Sequence, residues 1–167
     1  MTHDDLLNDE RPVRDLIVAY ARSLDALKAR GVIRSTKVLA DYAEWLAVRA
    51  LGLTLEAGGA QKGYDAVDPR TGLTYQVKAR QVTLPYMQPD LRGQGDLDEK
   101  PFDLLVGILV DGNYEVVRAA VVPWSVVRAR AKRIAYNNGY RIHMASGLLT
   151  LPEVVDVTEA VRRASES

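Results

Sequence analysis

The chain has no cysteine among its 167 residues, which removes disulfides and thiolate zinc sites and fits a reducing compartment. Histidine is almost missing as well: His3 and His143 are far apart, so no His-rich metal spacing exists. No apolar run approaches the roughly 18 residues of a membrane span. The opening "MTHDDLLNDERPVRD" carries acids where a secretory signal would carry positive charge and then an apolar stretch. The expectation is a soluble, cytoplasmic protein without a membrane partner. Neither sign of charge is in excess, since 22 basic residues meet 22 acidic ones. Taken alone, that balance argues against a nucleic-acid partner.

What is present suits one globular domain with a sizeable core, at 47% hydrophobic and 26% charged residues. The charge, however, is segregated. Between residues 118 and 141 lie Arg118, Arg128, Arg130, Lys132, Arg133 and Arg141 with no Asp or Glu, while acids gather at Asp4, Asp5, Asp9 and Glu10 and again from Asp90 to Asp103. A protein of zero net charge can therefore own a basic face.

Periodicity gives the order of elements. Val13, Leu16, Ile17, Tyr20, Leu24 and Leu27 recur at helical spacing and Gly31 follows as a stop. Leu39, Tyr42, Trp45, Leu46 and Ala50 define a second helix, opened by Ser35 or Thr36 and closed near Gly52, with Glu44 inside it. "YDAV" and "LTYQVKARQV" read as strands joined by "DPRTG", whose Pro69 and Gly72 are turn residues. "FDLLVGILV" has the continuous apolar character of a strand covered on both faces, and "YEVVRAAVV" follows an Asp-Gly-Asn turn as its hairpin partner. A helix is predicted from Pro123 to about Ile134, then a last strand in "YRIHMA" and a terminal helix in "DVTEAVRRA". The pattern predicts an α/β or α+β fold, a central mixed sheet of about four to five strands flanked by helices, with an N-terminal helical pair. Within this single domain, residues 1–34 form a helical extension, 35–122 the core and 123–167 a helical, basic segment. Trp45 and Trp124 are expected in the core or an interface, and Tyr42, Tyr64 and Tyr75 packed around the sheet.

In "KGYDAVDPRTGLTYQVKAR" a period of two places Tyr75, Val77 and Ala79 on one face and Thr74, Gln76, Lys78 and Arg80 on the other. Across the short turn, Asp65 can reach Gln76 and Lys78. An aspartate, an amide oxygen and a lysine so grouped suit phosphodiester hydrolysis: oxygens hold Mg²⁺ and the lysine orients a water or offsets developing charge. Singly, each residue also fits a plain structural role, as turn aspartate, solvent-facing strand residue or exposed helix glutamate.

These residues and their order resemble the PD-(D/E)XK nuclease superfamily, whose motif sets an aspartate near the first hairpin strand, Glu-x-Lys on the next, and often a glutamate on the preceding helix. Asp65, "QVK" at Gln76-Val77-Lys78 and Glu44 in "DYAEWLA" match those positions, over about residues 35 to 110. Gln in place of Glu is similar to the Mrr-type restriction nucleases, and the chain also resembles small bacterial restriction-endonuclease-like proteins in which "YAE", "GYDA" and "YQVK" follow in this order. The resemblance implies a restriction-endonuclease-like fold and a metal-dependent endonuclease acting on DNA. In it Asp65, Gln76, the Val77 carbonyl and Glu44 hold Mg²⁺, or Mn²⁺ in its place, and Lys78 serves the chemistry. Lys62, Arg80, Arg128, Lys132 and Arg133 would contact the nucleic acid. Two other readings stay open: a nuclease fold without catalysis that binds DNA, and a homodimer or subunit working with a partner protein of a restriction or phage-defence system.

Overall fold

The computed structural model describes residues 9–57, 63–84, 90–94, 98–134 and 139–166. The chain forms two compact units, residues 1–37 and 38–167. The first holds helix α1 (Val13–Ala29), which follows Pro12 and stops where Gly31 takes a φ of +68°, a left-handed turn that glycine enters without steric cost.

The second unit begins with α2 (Val38–Leu51), β1 (Thr54–Leu55), β2 (Ala66–Val67), β3 (Thr74–Gln81), β4 (Asp90–Gln94) and β5 (Leu104–Val110). There follow β6 (Val116–Pro123), α3 (Trp124–Arg130), β7 (Lys132–Ile134), β8 (Gly139–His143), α4 (Ser146–Leu149), β9 (Val155–Asp156) and α5 (Thr158–Ser165). The main sheet is mixed and six-stranded, in the order β1-β2-β3-β5-β6-β9. β1, β2 and β3 form an antiparallel meander, β5 runs parallel to β3, and β6 returns antiparallel beside β5. A second sheet of three strands, β4-β8-β7, is wholly antiparallel.

The apolar run of β5 is explained by cover on both faces. Val106, Ile108 and Val110 pack with Tyr75 and Val77 of β3, Ala43, Leu46 and Ala47 of α2, and Val161 and Ala164 of α5. Leu105 and Leu109 point the other way, to Leu91, Tyr140, Ile142 and Met144 of the second sheet's strands and their flank, and to Trp124 and Val127 of α3. Each side chain so buried contributes roughly 1.5–3 kcal/mol relative to exposure. Trp124 closes this second core edge-on against Phe102, ring centres 4.9 Å apart. Trp45 is half-buried, stacked on Tyr42 and beneath the Arg49 guanidinium, so both tryptophans pack as the sequence predicts.

Two glycines set how closely the sheets approach. A Cβ at position 107 would stand 2.6 Å from Leu91 Cδ1 and 2.8 Å from Met144 Sδ. A Cβ at position 93 would clash with Cζ, the hydroxyl oxygen and Cε1 of Tyr140, whose ring lies across β4 where Gly93 and Tyr140 pair.

Two expectations are corrected. The sheet has six strands and a second sheet accompanies it, because strands of two residues and the polar "DLRGQ" leave no alternation to read. The helix after Pro123 stops at Arg130: Ala131 is extended (φ −71°, ψ 144°), and Lys132, Arg133 and Ile134 pair with Arg141, Tyr140 and Gly139. Arg128 and Lys132 therefore do not share a helical face. The hairpin after β5 forms as expected, with Tyr114 as its left-handed residue (φ 63°), and Asp111 Oδ1 accepts from the N–H groups of Asn113 and Glu115 and winds the turn tightly.

Substituting the two glycines should separate their roles. Gly93→Ala meets a rigid ring and should cost about 1–3 kcal/mol of stability in urea unfolding. Gly107→Ala should cost less, because the atoms it meets are ends of flexible side chains; equal losses would show that the Tyr140 ring can move aside.

Candidate active site

Asp65 lies just before β2. Its backbone N–H donates to the Tyr75 carbonyl at 2.8 Å, and its own carbonyl accepts from the Glu56 N–H at 2.9 Å. Pairing of β2 with β3 ends at Ala66 and Tyr75, so β3 runs on past the end of its partner. The Val77 N–H would be left facing an empty edge. Asp65 Oδ2 accepts it at 2.7 Å, and the same oxygen accepts from Gln76 Nε2. A side chain thus stands in for a strand, and the strand it extends is the one carrying Gln76 and Lys78.

The two faces of β3 fall as the period of two predicts. Tyr75 and Val77 are buried and Ala79 packs beside them, while Gln76, Lys78 and Arg80 are half-buried on the other face. Lys78 sits opposite Gly107 of β5, beneath the second sheet. Arg80 continues the row and donates from Nη1 to the Asp90 carbonyl at 3.0 Å, tying β3 to the first residue of β4.

On that side lies a residue sequence reasoning missed. Tyr140 is 2% exposed; burial first, and then the negative charge of Asp65, push its phenol up to about 12. It therefore stays protonated, a hydrogen-bond donor within the field of Asp65. The only sequence signal was the alternation of Tyr140, Ile142 and Met144 in "YRIHM", which says inward but not toward what.

Glu44 is half-buried on α2, the helix that covers the opposite face of the sheet from Gln76 and Lys78. The structure thus joins Asp65, Gln76 and Val77 directly and sets Lys78 on the face of Gln76, with Glu44 on a different element and layer. Lys62 lies outside the described residues. Arg128 pairs with Asp98 at 3.1 Å and Arg118 donates to the Met144 carbonyl at 2.6 Å, so the basic segment is partly satisfied by groups remote in sequence.

The candidate metal ligands at this corner are all oxygens, one carboxylate and two neutral carbonyl groups. The N–H and C=O of one strand residue point to the same side, so the Val77 carbonyl faces the edge where Asp65 sits. Gln76 aims its amide nitrogen at Asp65 and would have to turn to offer its oxygen. Among the described residues no group of three or more His, Cys, Asp and Glu is placed to hold a metal ion. One carboxylate with neutral oxygens fits a weak Mg²⁺ or Mn²⁺ site completed by waters and a phosphate, the usual habit of Mg²⁺. It does not fit a closed structural site.

Compared with known proteins, the chain matches no family model and no curated protein. Among the described residues no helix is long and apolar enough to cross a membrane.

Asp65→Ala should destabilise the fold by about 1–3 kcal/mol, because it strips the Val77 N–H and the Gln76 amide of their acceptor. Asp65→Asn keeps an acceptor and should lose less. Urea unfolding of both variants checks this, and a stable alanine variant would mean water replaces the carboxylate.

Proposed function

We propose that this protein is a divalent-metal-dependent nuclease of the restriction-endonuclease-like, PD-(D/E)XK type, hydrolysing DNA phosphodiester bonds at the junction of Asp65 with β3. The observation that carries this reading is the pair of hydrogen bonds that Asp65 Oδ2 accepts from Gln76 Nε2 and the Val77 N–H, with Lys78 next on the same face as Gln76. An antiparallel meander followed by a strand parallel to its last member supports it.

The residues divide the work by their chemistry. Asp65, the Val77 carbonyl and, after its amide turns, the oxygen of Gln76 would hold the cation. A bound Mg²⁺ or Mn²⁺ would supply Lewis-acid polarisation of the phosphate and a lowered pKa for a ligated water. Lys78, a compact cation with three donors, orients the attacking water and offsets charge gathering on the phosphoryl oxygens. Tyr140, kept protonated by its surroundings, can donate to an anionic oxygen but cannot act as a base near neutrality.

One observation favours a second reading, a nuclease fold that binds DNA without cutting it. Gln76 brings no charge and spends its amide on Asp65, which leaves the cation site short of negative charge.

Plasmid DNA incubated with Mg²⁺ or Mn²⁺ should be nicked, and chelator should stop it. Lys78→Ala and Asp65→Asn should each lower the rate roughly 100-fold or more; cutting that survives both, or survives chelator, overturns the reading. Gln76→Glu should tighten Mn²⁺ binding in calorimetric titration, and an unchanged or weaker affinity would show that residue 76 is no ligand.

A further inference from the structure

The outer face of the second sheet carries a groove that the chemistry at Asp65 does not use. It encloses about 330 Å³ and is lined by Asp90, Arg130, Lys132, Arg141 and His143. Its origin is the strand register. Tyr140 and Ile142 of β8 turn inward and are buried, so Arg141 and His143 turn outward; Lys132 of β7 pairs with Arg141, and Asp90 of β4 pairs with His143. The break of helix α3 before Ala131 leaves Arg130 at the rim. Residues from four elements thus meet on one patch.

The charges are unequal. Arg130, Lys132 and Arg141 set three cations against the single carboxylate of Asp90, and that carboxylate is engaged. It is bonded to His143 Nδ1 at 2.8 Å and lies 3.8 Å from Arg141 Nη1. The bond from His143 first, and the charges of His143, Arg141 and Arg80 with it, hold the Asp90 carboxyl below its ordinary range against the opposing effect of burial. Asp90 remains ionised and fixes the imidazole with Nε2 as the free nitrogen. A neutral ring so held presents a lone pair at Nε2, which repels an anion; a protonated ring presents an N–H.

We propose that this groove binds a phosphate group, through Arg130, Lys132 and Arg141 as donors, with His143 held beside them by Asp90. The guanidinium forks and the ammonium suit phosphate oxygens, and Asp90, which would repel the anion, positions the histidine. Two sources share that chemistry, the backbone of a nucleic acid and a free phosphate or nucleotide. The first deepens the nuclease reading and rests on it, because the Arg80–Asp90 bond ties the groove to the strand that holds Lys78.

The test is fluorescence anisotropy of a labelled mixed-sequence duplex with the full chain, in chelator so that the cation site is silent, over a series of salt concentrations. Lys132→Ala with Arg141→Ala should weaken binding and flatten the slope of log affinity against log salt by about two, at roughly 0.9 per phosphate contact. Competition by inorganic phosphate at millimolar levels, with the same loss in the double variant, would assign the groove to a free phosphate group. Lack of such competition assigns it to the backbone. Unchanged affinity and slope in the double variant, or a wild type that binds neither probe, overturns the proposal. Failure of the Asp65 reading would show separately, as absence of cation-dependent nicking.

Discussion

A strand longer than its neighbour leaves backbone groups facing nothing, and here that constraint organises the molecule. β3 pairs with β5 along its whole length but with β2 only as far as Tyr75. A buried N–H without an acceptor costs about 1–3 kcal/mol, so the edge beyond Tyr75 demands a substitute. The Asp65 carboxylate supplies it, and in doing so is drawn to the residues with which it could do chemistry. The place of the carboxylate at this corner thus comes from a backbone constraint.

β5 gives the rest of the architecture. Buried on both sides, it requires a layer above and a layer below. Helices α2 and α5 supply one layer. The other is a small sheet with α3, and because a sheet has an inner and an outer face, it adds a second surface that a helix layer would not have offered. The glycine at 107 lets that sheet settle close.

Much of this could be read in the residues, for reasons that also explain what could not. The first two helices, β3, β5 and β6 each carry enough periodic positions to declare their type. Asp65, Gln76 and Lys78 were legible because a period of two and a short turn depend only on local geometry. Lys132 and Arg133 were misread because "WSVVRARAKRIAY" keeps helical spacing throughout, and only pairing with β8 pulls its end into a strand. Tyr140 reaches the neighbourhood of Asp65 across the interface between two sheets, and Arg128 meets Asp98 thirty residues away. Neither distance leaves a trace in local pattern. Asp41, buried at 8% exposure in the first turn of α2, is a further tertiary surprise.

The second sheet has a consequence for how the chain folds. β5 and β6 join through a tight hairpin, whereas β4 meets β8 only by closing a separation of 53 residues between Asp90 and His143. Closure entropy grows with that length, so long-range pairings come late. The expected order makes the hairpin and its helices an early platform and the small sheet a late addition to it. Pulse-labelled hydrogen exchange reads that order directly: amides of Val106 and Ala120 should gain protection before those of Leu91 and Ile142, and the reverse sequence would contradict it.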